Sequence, residues 1–253
     1  MAKKSIMKNY LYNLSYQILT LLLPLVTASY LARVLGARGN GIYIYTYTIV
    51  NYFVLFGSLG ISMYGQREIA YVQNNKTKKK KIFIELVLFR FITIGIASIV
   101  YYLSFMRQGE YSEYYRILFF ELIAAAFDIS WFFQGMEDFK KTVLRNIAVR
   151  LTSVALIFLI VKQASDLNKY LAIYAFADLI GNISLWFYLP KYFKGVKVKN
   201  INIKRQIPAI VLLFIPQVSN KIYNMLDTTM LGKIIADKAE TGYYEQSQKI
   251  IRV

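Results

Sequence analysis

Apolar residues in this chain fall in blocks of about 20 separated by short polar breaks, and no other feature limits the fold so sharply. At about 1.5 Å of rise per residue, such a block crosses the roughly 30 Å hydrocarbon core of a bilayer as one helix. A soluble bundle would need a polar face on each helix, whereas most of these blocks are apolar all round. Composition agrees, with 57% of the 253 residues hydrophobic, against about 45–50% in an ordinary globular domain. Residues 42–53, "IYIYTYTIVNYF", have strand propensity. Their apolar run continues to Met63 without a turn signal, well past the roughly 10 residues of a barrel strand. The expected fold is an all-α polytopic membrane protein.

The blocks predict seven spans, at about 10–33, 42–64, 82–105, 114–135, 144–162, 168–189 and 207–231. An eighth begins near Gly242, and the chain stops inside it, as a fragment or a prematurely terminated product would. No small-residue cleavage site follows the first apolar run, which reads as a retained span. Eighteen Lys and Arg residues lie on the side that holds the N-terminus, including the run "KTKKKK" at 76–81, and eight on the other. The positive-inside rule then makes the N-terminus cytoplasmic. The lysine run reads as a topogenic signal and a contact for anionic membrane lipids. With the formal charge of +17 confined largely to loops between spans, nucleic acid is not the partner it would otherwise suggest.

Span 1 carries Asn13, Gln17, Thr20, Pro24 and Thr27 at spacings of 4, 3, 4 and 3, hence on one helical face. Span 7 carries Gln217, Asn220, Lys221, Asn224, Asp227 and Thr228 at comparable spacings, after Pro208 and Pro216. Each is followed by a short loop and a Gly-aromatic opening of the next span, "GNGIYIY" at 39–45 and "ETGYYEQ" at 240–246. The shared pattern implies two parallel repeats: a six-span N-terminal lobe at 1–206 and the start of a second at 207–253. Polar stripes in membrane helices face other helices or a water-filled cavity. Asn13, Gln17, Thr20, Asn220, Asn224 and Asp227 are therefore candidate cavity-lining residues. Pro24 and Pro216 each remove a helix hydrogen bond and are the candidate hinges.

Charges within spans cost roughly 2.5–3.5 kcal/mol each at the centre of a lipid-facing helix, so they should face inward. Asp128 and Arg150 sit symmetrically about residue 139, the middle of the turn between spans 4 and 5. An antiparallel hairpin brings them to equal depth, where an ion pair could orient the helices or gate a path. Arg90 and Lys221 have no acidic residue at matching depth. Cations facing a cavity suit an anionic substrate, because guanidinium holds phosphate oxygens in bidentate fashion. Arg90, Arg150, Lys221 and Arg33, at the outer end of span 1, form the candidate substrate-binding set. The chain has no Cys and no His, so no metal and no cofactor is expected.

The stretch "FDISWFFQGMEDFKKTVLRN", residues 127–146, mixes acids, bases and a glycine as an active site could. The span map makes it a cytoplasmic turn, with Trp131 and Phe133 near the interface and Gly135 ending span 4. Its Trp131, Phe133, Gln134, Gly135, Glu137 and Arg145 resemble the loop after span 4 in the bacterial oligosaccharide repeat-unit flippases of the Wzx type. These belong to the polysaccharide transporter family within the multidrug/oligosaccharidyl-lipid/polysaccharide exporter (MATE-like) superfamily. "SYLARVLGARGNGIYIY" is similar to that family's connection between spans 1 and 2, through Arg33, Leu35, Gly36, Gly39, Gly41 and Tyr43. "LDTTMLGKIIADKAETGYYEQSQKI" is similar to the second-half counterpart, through Asp227, Met230, Leu231, Gly232, Gly242 and Tyr244.

The resemblance implies two six-span lobes around a central cavity, working by alternating access. Its implied substrate is an undecaprenyl-pyrophosphate-linked oligosaccharide, turned across the bacterial cytoplasmic membrane for capsule, O-antigen or exopolysaccharide synthesis. A polysaccharide polymerase and assembly proteins are the implied partners, and the cationic lumen of such flippases fits Arg90, Arg150 and Lys221 in kind. Family members have more spans than this chain. A multidrug or lipid exporter of the same fold is one alternative, which Asp128 and Asp178 leave open. A membrane enzyme of polysaccharide assembly is another. Short external loops and the lack of His and Cys weigh against it, while Glu110 and Glu113 keep carboxylate chemistry available.

Overall fold

The computed structural model describes residues 26–235 and 237–251, with Leu14 and Leu23 ahead of them. All regular structure among the described residues is helical. Residues 26–34 are helical, followed by α1 (Gly36–Ser58), α2 (Ile61–Tyr71), α3 (Lys76–Tyr101), α4 (Ser112–Phe127) and α5 (Ser130–Gly135). Then come α6 (Phe139–Ile160), α7 (Leu167–Trp186), the single turn α8 (Pro190–Phe193), α9 (Ile207–Ile234) and α10 (Lys238–Ile251). The strand-like segment 42–53 lies wholly inside α1.

Five helical runs are long and apolar enough to cross a membrane: Gly36–Tyr71, Lys76–Met106, Ser112–Gly135, Phe139–Ile160 and Ala164–Phe193. They coincide with predicted spans 2 to 6. Span 7 is α9, whose stretches Ile207–Tyr223 and Met225–Ile234 meet at 43°. Most of span 1, including Asn13, Gln17, Thr20 and Pro24, lies outside the described residues. On α3, Leu88, Ile92, Ile96 and Ile99 are exposed at helical spacing, as are Phe176, Ile180 and Ile183 on α7. Apolar stripes that wide facing outward suit hydrocarbon and not water. The chain is an all-α polytopic membrane protein.

Spans 2 and 4 are each interrupted toward their lysine-rich ends. Between α1 and α2 the chain turns through Leu59 and Gly60, with φ of 45° and 70°. Between α4 and α5, Asp128 is extended, with ψ of 111°. The short segments α2 and α5 then pack on each other. A Cβ on Gly65 would lie 2.5 Å from the Trp131 ring, and one on Gly135 would lie 2.6 Å from the Gln66 carbonyl oxygen. Close approach, and not backbone conformation, is what those two glycines provide.

The marker stretch therefore differs from its sequence reading. Trp131, Phe132 and Phe133 are fully buried and do not sit at an interface. They anchor the core of the lysine-rich end together with Ile61, Leu86 and Leu185. Lys141 lies between the Asp138 carboxylate and the Tyr192 hydroxyl, 2.6 Å from each. The lysine run is engaged as well. Lys79 is buried and donates to the Gln73 carbonyl at 3.1 Å, and Lys80 donates to the Val196 carbonyl at 2.6 Å. Glu85 in turn accepts from the Asn202 amide at 2.8 Å and the Gln206 side chain at 2.7 Å. These bonds tie the segment before α9 to α3.

At the opposite end, α10 packs along α1 at a pair of glycines. A Cβ on Gly41 would collide with the Lys238 carbonyl, and one on Gly242 with the Ala37 carbonyl. Each such Cβ would also lie 3.1 Å from the other glycine's amide nitrogen. Ala37 with Lys238 and Gly41 with Gly242 share one offset of 201 residues (238 − 37 and 242 − 41). Contacts exchanged in this way, i with j and the counterpart of j with the counterpart of i, are those a local two-fold axis produces. Small residues are what allow membrane helices to approach so closely.

Candidate functional site

Between Leu23, residues 27–31, α1, α3, α4, α6, α7 and α9 lies a cavity of about 1080 Å³, just above the roughly 300–1000 Å³ usual for small-molecule sites. Arg90, Arg145, Arg150 and Lys221 reach its lining, and so do Glu121, Asp128, Asp178 and Glu245. The lumen expected to be cationic is thus balanced in formal charge among its described lining residues. Tyr43 and Tyr47 from α1 and Tyr170 and Tyr174 from α7 add an aromatic wall. Tyr47 meets Tyr174 edge-on at 5.5 Å, and Tyr43 meets Tyr170 at 4.8 Å.

Arg90 and Asp128 owe their positions to the helix breaks. Carbonyls at the end of a helix have no partner within it and need one elsewhere. At the end of α4 the Ala124 carbonyl accepts from Asn182 and the Phe127 carbonyl from Trp186, both at 2.8 Å. The Asp128 carbonyl accepts from the Arg90 guanidinium. The Asp128 carboxylate accepts from the Ser130 amide at 2.9 Å, bridging the break, and its second oxygen stands 3.5 Å from Arg90. Arg90 also donates to Ser62 at 3.1 Å, just past the break in span 2. One turn along α3, Thr93 donates to the Gly57 carbonyl before that break, at 2.5 Å. One face of α3 thereby serves both interruptions.

These contacts revise two expectations. Asp128 finds its salt-bridge partner in Arg90, the cation for which the sequence offered no acid, and not in the symmetric Arg150. Hairpin symmetry assumed an unbroken span 4, and the break after Phe127 re-aims Asp128. Arg150 instead donates to the Tyr174 hydroxyl at 3.2 Å, with its guanidinium 5.7 Å from that ring. Glu121 and Asp178 are both within electrostatic reach of it.

The other predicted positions divide. Arg33 is exposed and outside the cavity lining, because Leu31 and Leu35 turn the opposite helical face into the core. On α9, Gln217, Lys221, Met225 and Thr228 line the cavity. At about 100° per residue these fall within about 80° of one another, while 220 and 227 lie about 60–80° to the other side. Asn220 and Asp227 are accordingly exposed and absent from the lining, and Asp227 accepts from Tyr244 at 2.9 Å. The Asn224 side chain lies outside the described residues. Pro216 sits within the first stretch of α9, two turns before the bend at 224.

With this geometry in place, comparison with known proteins decides the family. The sequence profile of the family described as "Polysaccharide biosynthesis protein" matches residues 6–253. The chain belongs to that family. It is 27% identical over 253 residues to a protein of Escherichia coli (strain K12) named "Putative O-antigen transporter", covering 98% of this chain and 61% of the relative. The chain thus spans about three-fifths of the length of that curated relative. A solved structure described only as "protein A" superposes with a TM-score of 0.66 at 14% identity, covering all of this chain and 62% of that one. The likeness shows the fold alone.

In this member of the family, the sequence reading missed the tyrosine wall. Its signal was present: Tyr43 and Tyr47 are four residues apart, and Tyr170, Tyr174, Asp178 and Asn182 form one stripe at the same spacing. Tyrosine content hid it, since 22 tyrosines spread over the chain leave no single stripe conspicuous.

Proposed function

We propose that this chain serves to move lipid-linked oligosaccharide repeat units across the cytoplasmic membrane, from the inner to the outer leaflet, by alternating access. The substrate is an undecaprenyl-pyrophosphate-linked oligosaccharide destined for capsule, O-antigen or exopolysaccharide. The observation that carries this reading is the cavity of about 1080 Å³, lined by charges of both signs and by tyrosines, in a member of the polysaccharide biosynthesis family. A lumen for lipid alone would have no use for eight ionisable side chains, each costly to hold in a bilayer. Lys221 is the cation for the pyrophosphate: it lines the cavity, it is exposed, and no described residue bonds it. An ammonium in that position can give phosphate oxygens charge-assisted hydrogen bonds.

The moving units are the lobes at 1–206 and 207 onward, with the lysine-rich end cytoplasmic, a placement the charge asymmetry supports. A polymerase that accepts the repeat unit on the outer face is the natural partner. Deleting the gene should abolish surface polysaccharide and accumulate lipid-linked repeat units inside. The wild type should restore export, and Lys221→Ala, at equal membrane abundance, should restore less than about a tenth of it. Full restoration by Lys221→Ala would remove that residue from the mechanism. Unchanged surface polysaccharide in the deletion strain would overturn the assignment.

A further inference from the structure

Where α1, α4, α6 and α7 converge on the cavity, two carboxylates, one guanidinium and two half-buried tyrosine rings face the same space. Glu121 is 8% exposed, and its Oε1 has no hydrogen-bond partner among the described residues. Asp178 and Arg150 act on it electrostatically, and the hydroxyls of Tyr47 and Tyr174 are within electrostatic reach of both acids. An unpaired acceptor so deeply buried is costly, and native structures satisfy such groups with a donor, from the protein, water or a ligand. Arg145 also acts on Asp178, so two acids offset two guanidiniums and the cluster has no excess positive charge to draw a phosphate. Arg150 gives one of its five N–H donors to Tyr174 and keeps the others for a ligand.

We propose that Glu121, Asp178, Arg150, Tyr47 and Tyr174 form a glycan subsite, separate from the cation that holds the pyrophosphate. Sugar hydroxyls are neutral donors that the two carboxylates can accept, and Arg150 can donate to a sugar oxygen. The exposed parts of the Tyr47 and Tyr174 rings offer apolar surface to the C–H face of a pyranose. A few placed polar groups among aromatic side chains is the usual make-up of a selective small-molecule site. Charge sorting then orients the substrate, with its sugars against α1 and α7 and its pyrophosphate toward α9 and Lys221. This inference rests on the flippase reading given above.

The test is binding to the purified protein in lipid nanodiscs, with two probes: undecaprenyl pyrophosphate without sugar, and the lipid-linked oligosaccharide fraction extracted from the parent cells. Glu121→Gln should weaken the sugar-bearing probe by about tenfold, the loss expected for one hydrogen bond to a charged group, Tyr174→Leu should weaken it several-fold through the lost ring contact, and both should leave the bare pyrophosphate unchanged. Tyr47→Leu gives a third variant should either of the others fold poorly. Unaltered affinity of Glu121→Gln and Tyr174→Leu for the sugar-bearing lipid, or an equal loss for both probes, overturns the subsite while leaving the flippase reading standing. Wild type that binds neither probe overturns both. Sodium-dependent binding of the bare lipid, lost in Glu121→Gln, would also overturn it and assign the acids to a cation.

Discussion

Arg90 has 3% of its side chain exposed and donates to the Asp128 carbonyl as well as pairing with its carboxylate. Removing one partner of a buried pair strands the other charge and costs about 3–5 kcal/mol. Asp128 keeps 23% side-chain exposure, which places Arg90→Ala near the low end, about 3 kcal/mol. Arg90→Ala/Asp128→Ala should recover part of that loss, and unfolding in detergent would show it. A double variant whose loss equals the sum of the singles would mean the pair is not coupled. The same residue shows where sequence reasoning stops. That Arg90 faces inward followed from the cost of charge in lipid. Its partner did not, because the partner is fixed by a break after Phe127 that no glycine or proline announces. Gly135 teaches the converse: its place at a helix end was legible, but its purpose is the contact with α2. Gly135→Ala should cost about 1–3 kcal/mol by overpacking, seen as a lower melting temperature with Trp131 fluorescence perturbed.

At the scale of elements, α1 to α7 follow the apolar blocks closely because length and hydropathy are enough to define a membrane helix. Which face of a helix meets a cavity is subtler. The α9 stripe was read as one face, yet it is two: positions 217, 221 and 228 line the cavity, while 220 and 227 do not. Amphipathic reasoning fails here since both faces are polar, so polarity alone cannot tell solvent-filled space from a neighbouring helix. Since the chain has no cysteine, single cysteines can report the difference directly. A membrane-impermeant thiol reagent should label Gln217→Cys and Lys221→Cys readily, and Leu212→Cys and Ile215→Cys, on the outward apolar face, several-fold more slowly. Equal labelling of all four would contradict the placement of α9.

Across the whole molecule, the crossing of α1 and α10 is a reciprocal contact, Gly41 on Lys238 and Gly242 on Ala37. Any substitution there acts on both sides of a local two-fold. Gly41→Ala and Gly242→Ala should therefore weaken the docking of α10 to a similar degree, each forcing a methyl into the facing backbone. Limited proteolysis near residue 237 would read this out. A strong effect at one glycine with none at the other would argue against the reciprocal packing. The recurring Gly-aromatic helix start was visible in sequence, but that the two helix starts touch was not.

That meeting also sets a timetable for biogenesis. Gly41 leaves the ribosome about 200 residues before Gly242, so at roughly 5–20 residues per second the glycine face of α1 waits about 10–40 s for its partner. During that interval the face must be covered by lipid or by the insertion machinery. The closest helix contact among the described residues therefore forms only after the intervening spans have been made.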